Sequence, residues 1–332
     1  MSIRLNILLM LSAALLITMV ASLHLGMRVY TPAQVWAALS GGDTGTDALI
    51  IGTLRVPRTL IAVVSGAALG LSGLLMQAAS RNPLAEPGLL GVNSGAALAA
   101  VIGITLLGVD SLSGLGATAG LGALLAITLV LGLTALGDVR ADPTSILLVG
   151  VTLAALCGAM VQVILLSNET ALETLLFWLA GSFADRDLGL IWIGLPVLLA
   201  GLLATLWLAP ALDLLRTDDD SAAALGVPVA RMRYSAFAVA ALLAGGTVAM
   251  AGPVIFLGLV TPHIVRRLLP GTSHVWLALG CLLTGALIAL VADILARIIV
   301  APAEAPIGTV LAIVGVPVLI GQLRRGGGRR TA

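Results

Sequence analysis

Lysine is missing from this chain altogether: all 17 of its basic residues are arginine. That absence excludes a Schiff-base lysine and the lysine of a phosphate loop. No GxxxxGK[ST] pattern occurs, so any nucleotide must be handled by another chain. Charge of either sign is scarce, at 10% of residues with a net charge of +1, where a soluble domain carries about 25%. So small a net charge argues against nucleic acid as a partner. Cysteine and histidine are also rare, at two and three residues. Cys157 and Cys281 both lie in apolar runs and read as buried thiols. His24, His263 and His274 are scattered, so packed or interfacial histidines are expected and no metal site or bound cofactor.

What is plentiful is apolar side chain, 59% of 332 residues. No soluble fold of that length has enough polar surface to cover it, so lipid is the expected solvent. The runs are continuously apolar and do not alternate, which selects helices over a barrel. At about 20 residues per crossing, ten spans fall near 6–26, 59–80, 92–108, 116–137, 144–166, 188–209, 234–251, 254–269, 276–298 and 307–323. The expected fold is therefore all-α, a polytopic single transmembrane domain over 1–332. Residues 1–26 carry Arg4 and an apolar stretch like a signal peptide, but no small-x-small cleavage site closes it. They read as the first span. The partly apolar stretch 168–184 is too short to cross and is expected as a helix on the outer surface. Trp178, Trp192 and Trp207 fit interfacial belts.

Arginine bias sets the orientation. With the N-terminus in the cytoplasm, twelve arginines fall inside and five at or near the outer face, with both termini inside. The 39 glycines favour close helix packing in lipid. GAALGLSG from Gly66 and GGTVAMAG from Gly245 place small residues at matching positions. They hint that spans two to five and seven to ten form an inverted repeat.

Four segments go beyond a generic membrane helix: Arg55-Val-Pro-Arg58; the run RNPLAEPGLLGVNSGA from Arg81 to Ala96; GLVTPHIVRR from Gly258 to Arg267; and Ala292-Asp-Ile-Leu-Ala-Arg297 followed by Glu304-Ala-Pro-Ile-Gly308. In order and spacing these segments resemble the signatures of the FecCD-type permeases, over about residues 50–323. That family imports ferric siderophores, haem and cobalamin with an ATP-binding-cassette ATPase.

The resemblance implies a permease of ten helices in a bacterial cytoplasmic membrane, paired with a second permease subunit as a homodimer or heterodimer. Two ATPase subunits would dock inside and consume the ATP, and a substrate-binding protein would dock outside. Arg55, Arg58 and Arg297 would meet acidic residues of the binding protein, a role suited to a permanently charged fork. Asp293, one turn from Arg297, offers that arginine an internal partner instead. Asn82 and Leu84, with Thr144 and Ser145, would form the cytoplasmic gate; helix capping is the plainer role for Thr144. The polar interruption at 211–233 would be the coupling loop, with Ser221, Ala224, Leu225, Gly226 and Val227 seated against the ATPase. Its Asp218-Asp-Asp220 start, Gly226 and Pro228 spell a short helix with both ends marked. A ferric siderophore is the first expected cargo, and cobalamin or haem the alternative. A secondary transporter or channel is the rival of another class; its usual intramembrane charges are missing from the middle spans.

Overall fold

The computed structural model describes residues 2–42, 45–136, 142–299, 305–313, 315 and 317. Among them all regular structure is helical. In chain order the α-helices are α1 (Ser2–His24), α2 (Pro32–Leu39), α3 (Thr46–Ile50), α4 (Val56–Ser80), α5 (Val92–Leu107), α6 (Leu112–Leu136), α7 (Pro143–Leu166), α8 (Glu169–Leu179), α9 (Ile191–Leu214), α10 (Asp219–Ala224), α11 (Val229–Ala251), α12 (Leu257–Leu268) and α13 (His274–Ile299). A π-helical turn, Ile51–Arg55, joins α3 to α4. Helical backbone resumes at 307–313.

Among the described residues, seven segments are long and apolar enough to cross a membrane: Ile3–His24, Thr46–Ser80, Leu112–Leu136, Pro143–Leu166, Leu188–Leu214, Val229–Ala251 and His274–Ile299. The expected spans at 92–108 and 254–269 are shorter helices, α5 of 16 residues and α12 of 12. In the second case the break expected between 251 and 254 extends further, and the helix starts only at Leu257. The expected span 307–323 lies largely outside the described residues.

α4 is the axis of the bundle, with 89% of its apolar window buried, against 17% for α1 at the periphery. Small residues allow that burial. A methyl group on Gly66 would overlap the Gly285 carbonyl of α13, and one on Gly73 would stand 2.7 Å from the Gly258 Cα of α12. Helix association in lipid depends on such close backbone approach, because exclusion of water supplies no drive there. α11 uses the same device on α6, where Gly116 and Gly120 face Ala249. Thus α4 pairs with α13 as α11 pairs with α6, through the glycine-rich words that match in sequence.

Local signals explain the ends. Thr31 and Gln34 form a reciprocal capping box for α2, with Pro32 in its first turn. Asp142 caps α7 and Asn168 caps α8. Both thiols are free and buried. Trp192 and Trp207 are exposed along α9, as an interfacial or lipid-facing position requires. Trp178 differs: it is buried in the core against Gly252, whose lack of a side chain leaves room for it.

Candidate functional site

The residues singled out in the sequence gather at the two ends of the bundle. At one end, Arg58 on α4 donates from Nε to Asp293 Oδ1 at 2.8 Å, and Arg297 pairs with the other oxygen of Asp293 from one turn away on α13. Arg297 also donates to the Ser22 carbonyl at 3.1 Å and to its hydroxyl at 3.2 Å, and Ser22 bonds Thr59 at 2.8 Å. Three helices are thereby fastened around one buried carboxylate. A carboxylate left in lipid without partners is costly, so the two guanidinium groups are what make Asp293 tolerable at this depth.

Arg55 sits above this cluster. It donates to the carbonyl oxygens of Leu23 at 2.7 Å and Arg28 at 2.5 Å, and stacks over the Tyr30 ring at 4.3 Å. Arg55, Arg58 and Arg297 line a cavity of about 180 Å³, together with Arg28 and Tyr30. Among the described residues, the carboxylates within ion-pair distance of these four arginines are Asp293 and Asp47, the latter 3.2 Å from Arg28. The expected docking arginines are thus recessed in the floor of a positively charged hollow, and Arg28 is the exposed one at its rim. Arg28 was not singled out in the sequence, because nothing in its neighbourhood distinguishes it there from a snorkelling anchor.

At the opposite end, α4 stops at Arg81, which adopts a left-handed backbone with φ 51°. That conformation is uncommon for a residue with a side chain. Here it is tethered: Arg81 Nε donates to the Leu215 carbonyl at 2.8 Å, and Nη2 reaches Asp219 at 2.5 Å. Arg233, buried at the start of α11, takes the same carboxylate with both terminal nitrogens, at 3.0 and 3.1 Å, and donates from Nε to Ala79 O at 3.0 Å. Asp219 thereby joins α10 to the end of α4 and the start of α11. The Arg233 hydrogen bond, followed by the charges of Arg233 and Arg81, holds the Asp219 carboxyl below its ordinary range. Sequence reading noticed Asp219 only as a favourable charge at a helix start; its partners are 138 and 14 residues away.

Beyond Arg81 the chain turns back toward the interior. Asn82 Oδ1 accepts from the Leu84 N–H at 2.9 Å, which fixes the turn, and the Leu84 side chain is exposed. A 3₁₀ turn at Pro87–Leu90 then leads into α5. The backbone of Leu89 and Leu90 packs against Gly150, which seats this turn on α7. In the first turn of α7, Asp142 accepts from the Ser145 N–H and hydroxyl, both at 3.0 Å, while Thr144 is exposed and makes no cap. The capping role open to Thr144 thus belongs to Asp142.

Of the expected coupling loop 211–233, residues 211–214 continue α9 and 229–233 begin α11, leaving one short helix, α10, between them. Asp218 caps it, accepting from the Ser221 N–H at 2.7 Å and its hydroxyl at 2.8 Å. Ala224 and Leu225 are exposed, and Gly226 turns at φ 84° with open space around it. Val227 alone of the five packs partly on the core. Leu225 thus projects as an exposed apolar side chain.

A bundle of membrane-crossing helices, broken at 81–91 and 252–256 and bearing a charged fastening at each end, is the architecture of a membrane transport protein. The profile of the FecCD transport family matches residues 14–325, and the chain belongs to that family. It is 40% identical over 312 residues to the ferric enterobactin transport system permease protein FepD of Escherichia coli K12, covering 94% of this chain and 92% of that one. It is 38% identical to the vitamin B12 import system permease protein BtuC of Salmonella paratyphi A over 323 residues, 96% and 95% of the two chains. A solved inward-facing structure, described as that of a metal-chelate type ABC transporter, superposes with a TM-score of 0.84 at 31% identity, covering 96% of this chain and 99% of that one.

Proposed function

We propose that this chain is the permease subunit of an ATP-binding-cassette importer, and that it forms the membrane passage for a metal chelate, a ferric siderophore first. The observation that carries the reading is the end-to-end likeness to a ferric enterobactin permease. A second reading, cobalamin import, is favoured by the nearly equal likeness to a vitamin B12 permease; haem is a third cargo of the same kind. The middle spans carry no charged residue, which suits a large ligand delivered already chelated and moved by the subunits themselves.

In this reading the chain works as one of two permease subunits, identical or paralogous, each with ten helices and both termini in the cytoplasm. The short α5 and α12 and the helix beginning at 307 supply the three spans beyond the seven long ones. The reciprocal pairing of α4 with α13 and α11 with α6 supports an inverted repeat. Two ATPase subunits seat the projecting Ala224–Val227 turn and consume the ATP, while this chain performs no catalysis. The Arg81–Asp219–Arg233 fastening passes the displacement of α10 to the 81–91 segment, where Asn82 and Leu84, with Thr144 and Ser145, close the passage. At the other end a binding protein presents acidic side chains to the hollow floored by Arg55, Arg58 and Arg297. Charge of that density steers an acidic partner and fixes its register.

The test is uptake of a radiolabelled ferric siderophore and of labelled cobalamin by cells lacking this chain, with and without its restoration. Loss and rescue of one ligand is the expected result and identifies the cargo. Unchanged uptake of both, with haem uptake also unchanged, would remove the importer reading.

A further inference from the structure

A second basic hollow lies at the end of the bundle that carries α10, and the transport reading makes no use of it. It has a volume of about 350 Å³, and its walls include Arg81, Arg216, Arg266, Gln77 and His274. Four helix ends meet there, those of α4, α9, α12 and α13. Two of the arginines have structural work. Arg81 tethers Leu215 and Asp219, and Arg216 Nη1 donates to the Thr272 carbonyl at 2.9 Å, with Asp213 3.9 Å away. Asp213 itself is engaged by His274, through the backbone N–H at 3.0 Å and Nδ1 at 2.7 Å. Arg266 is different. Its partner among the described residues is a neutral one, the Gln77 amide oxygen at 2.5 Å, and no carboxylate comes within ion-pair distance of it. A guanidinium has five N–H donors in a planar fork that matches phosphate, and most of those on Arg266 and Arg216 remain for a ligand.

We propose that this hollow is a binding site for an anionic phosphate group, held between Arg266 and Arg216 with Arg81 at its edge. The phosphate is either the headgroup of an anionic phospholipid or one in free solution. Leu268 and Val275, close in sequence to the lining residues Arg266 and His274, are exposed and offer an acyl chain a surface. Basic pockets between helix ends are a recurrent way of holding such headgroups.

The experiment is thermal-shift titration of the purified full-length chain in a neutral detergent. The ligands are dioctanoyl-phosphatidylglycerol, inorganic phosphate, and dioctanoyl-phosphatidylcholine as the zwitterionic control. Phosphatidylglycerol is expected to raise Tm above the control, with R266Q weakening the effect at least about tenfold and R267Q, on the exposed neighbour, leaving it intact. A rise with inorganic phosphate that R266Q likewise removes supports the site with a soluble source. Arg216 is half-exposed, so R216Q spares the packing and carries the same test if R266Q does not fold. No rise above phosphatidylcholine with either probe, or a rise unchanged in both variants, overturns the proposal.

Discussion

Each end of the bundle closes on a carboxylate held between two arginines, and the two ends differ chiefly in how much water reaches them. Asp293 is wholly buried, with its arginines 9% and 5% exposed; the Asp219 side chain is 44% exposed, with Arg81 at 33% and Arg233 at 2%. In the dry cluster, desolvation has been imposed on every member, so the arrangement survives only whole. In the wet one, water replaces a lost partner at small cost. The same three side chains therefore make a permanent staple at one end and a joint that can rearrange at the other. Under the proposed function, a joint suits a segment moved by a partner and a staple suits a fixed landing surface.

Several substitutions break or sharpen that contrast. Asp293→Ala removes the carboxylate from between two buried guanidinium groups and is expected to cost about 3–5 kcal/mol, seen as a collapse of Tm in detergent. Replacing Arg58 and Asp293 together with leucine should recover part of it. A loss no larger than that of Asp219→Ala would erase the distinction between the ends. Arg233→Ala comes next, at about 1.5–3 kcal/mol, because the buried arginine also satisfies the Ala79 carbonyl. Asp219→Asn should cost less than about 1 kcal/mol after solvent screening. Its effect on the proposed coupling should be larger: in the assembled importer, ATP hydrolysis would continue while uptake falls, and Asp219→Glu would restore uptake in part. Equal loss of both activities in Asp219→Asn would reduce the fastening to a structural one.

The pH response separates the ends again. Asp219 is held below its ordinary range by Arg233, and Asp218 below its own by hydrogen bonds from Ser221. A depressed carboxylate contributes stability in full above its unfolded value, about 4, and loses it as pH falls through the folded value. Protection against hydrogen exchange in 219–233, taken relative to the intrinsic exchange rate, should therefore fall below about pH 4, and protection there that is flat down to pH 3 would contradict the assignment. The smallest effect belongs to the exposed Arg28–Asp47 pair: Arg28→Gln should change stability by no more than about 0.5 kcal/mol, and less in high salt.

What the sequence made legible was local. Asp218, Gly226 and Pro228 spell out α10 because each acts within one helical turn, and Arg297 was matched to Asp293 for the same reason. Arg58 and Asp293 lie 235 residues apart, and no pattern along the chain connects them. That long-range pair also explains a misplaced boundary. Two arginines before residue 59 read as the end of a span, yet helical structure is continuous over Thr46–Ser80, because folding supplies the partners that allow Arg55 and Arg58 to be buried. α2 went unseen although Thr31 and Gln34 form a capping box, since an eight-residue amphipathic piece is lost beside long apolar runs. The break after Ala251 reads from the sequence as 252–253 but runs on to Phe256, because 254–256 are apolar while the backbone stays out of the helix.

α1 enters the membrane first and meets its main neighbour last. That neighbour, α13, begins roughly 250 residues further along the chain, so a ribosome adding about 5–20 residues per second leaves α1 without it for roughly 12–50 s. Through that interval Ser22 has no Arg297 to hold, and α1 is kept in place by lipid and by its shorter contacts with α2 and α4. Its largely apolar surface makes the wait harmless. Closure of the Asp293 cluster then joins the first and the last of the long helices among the described residues.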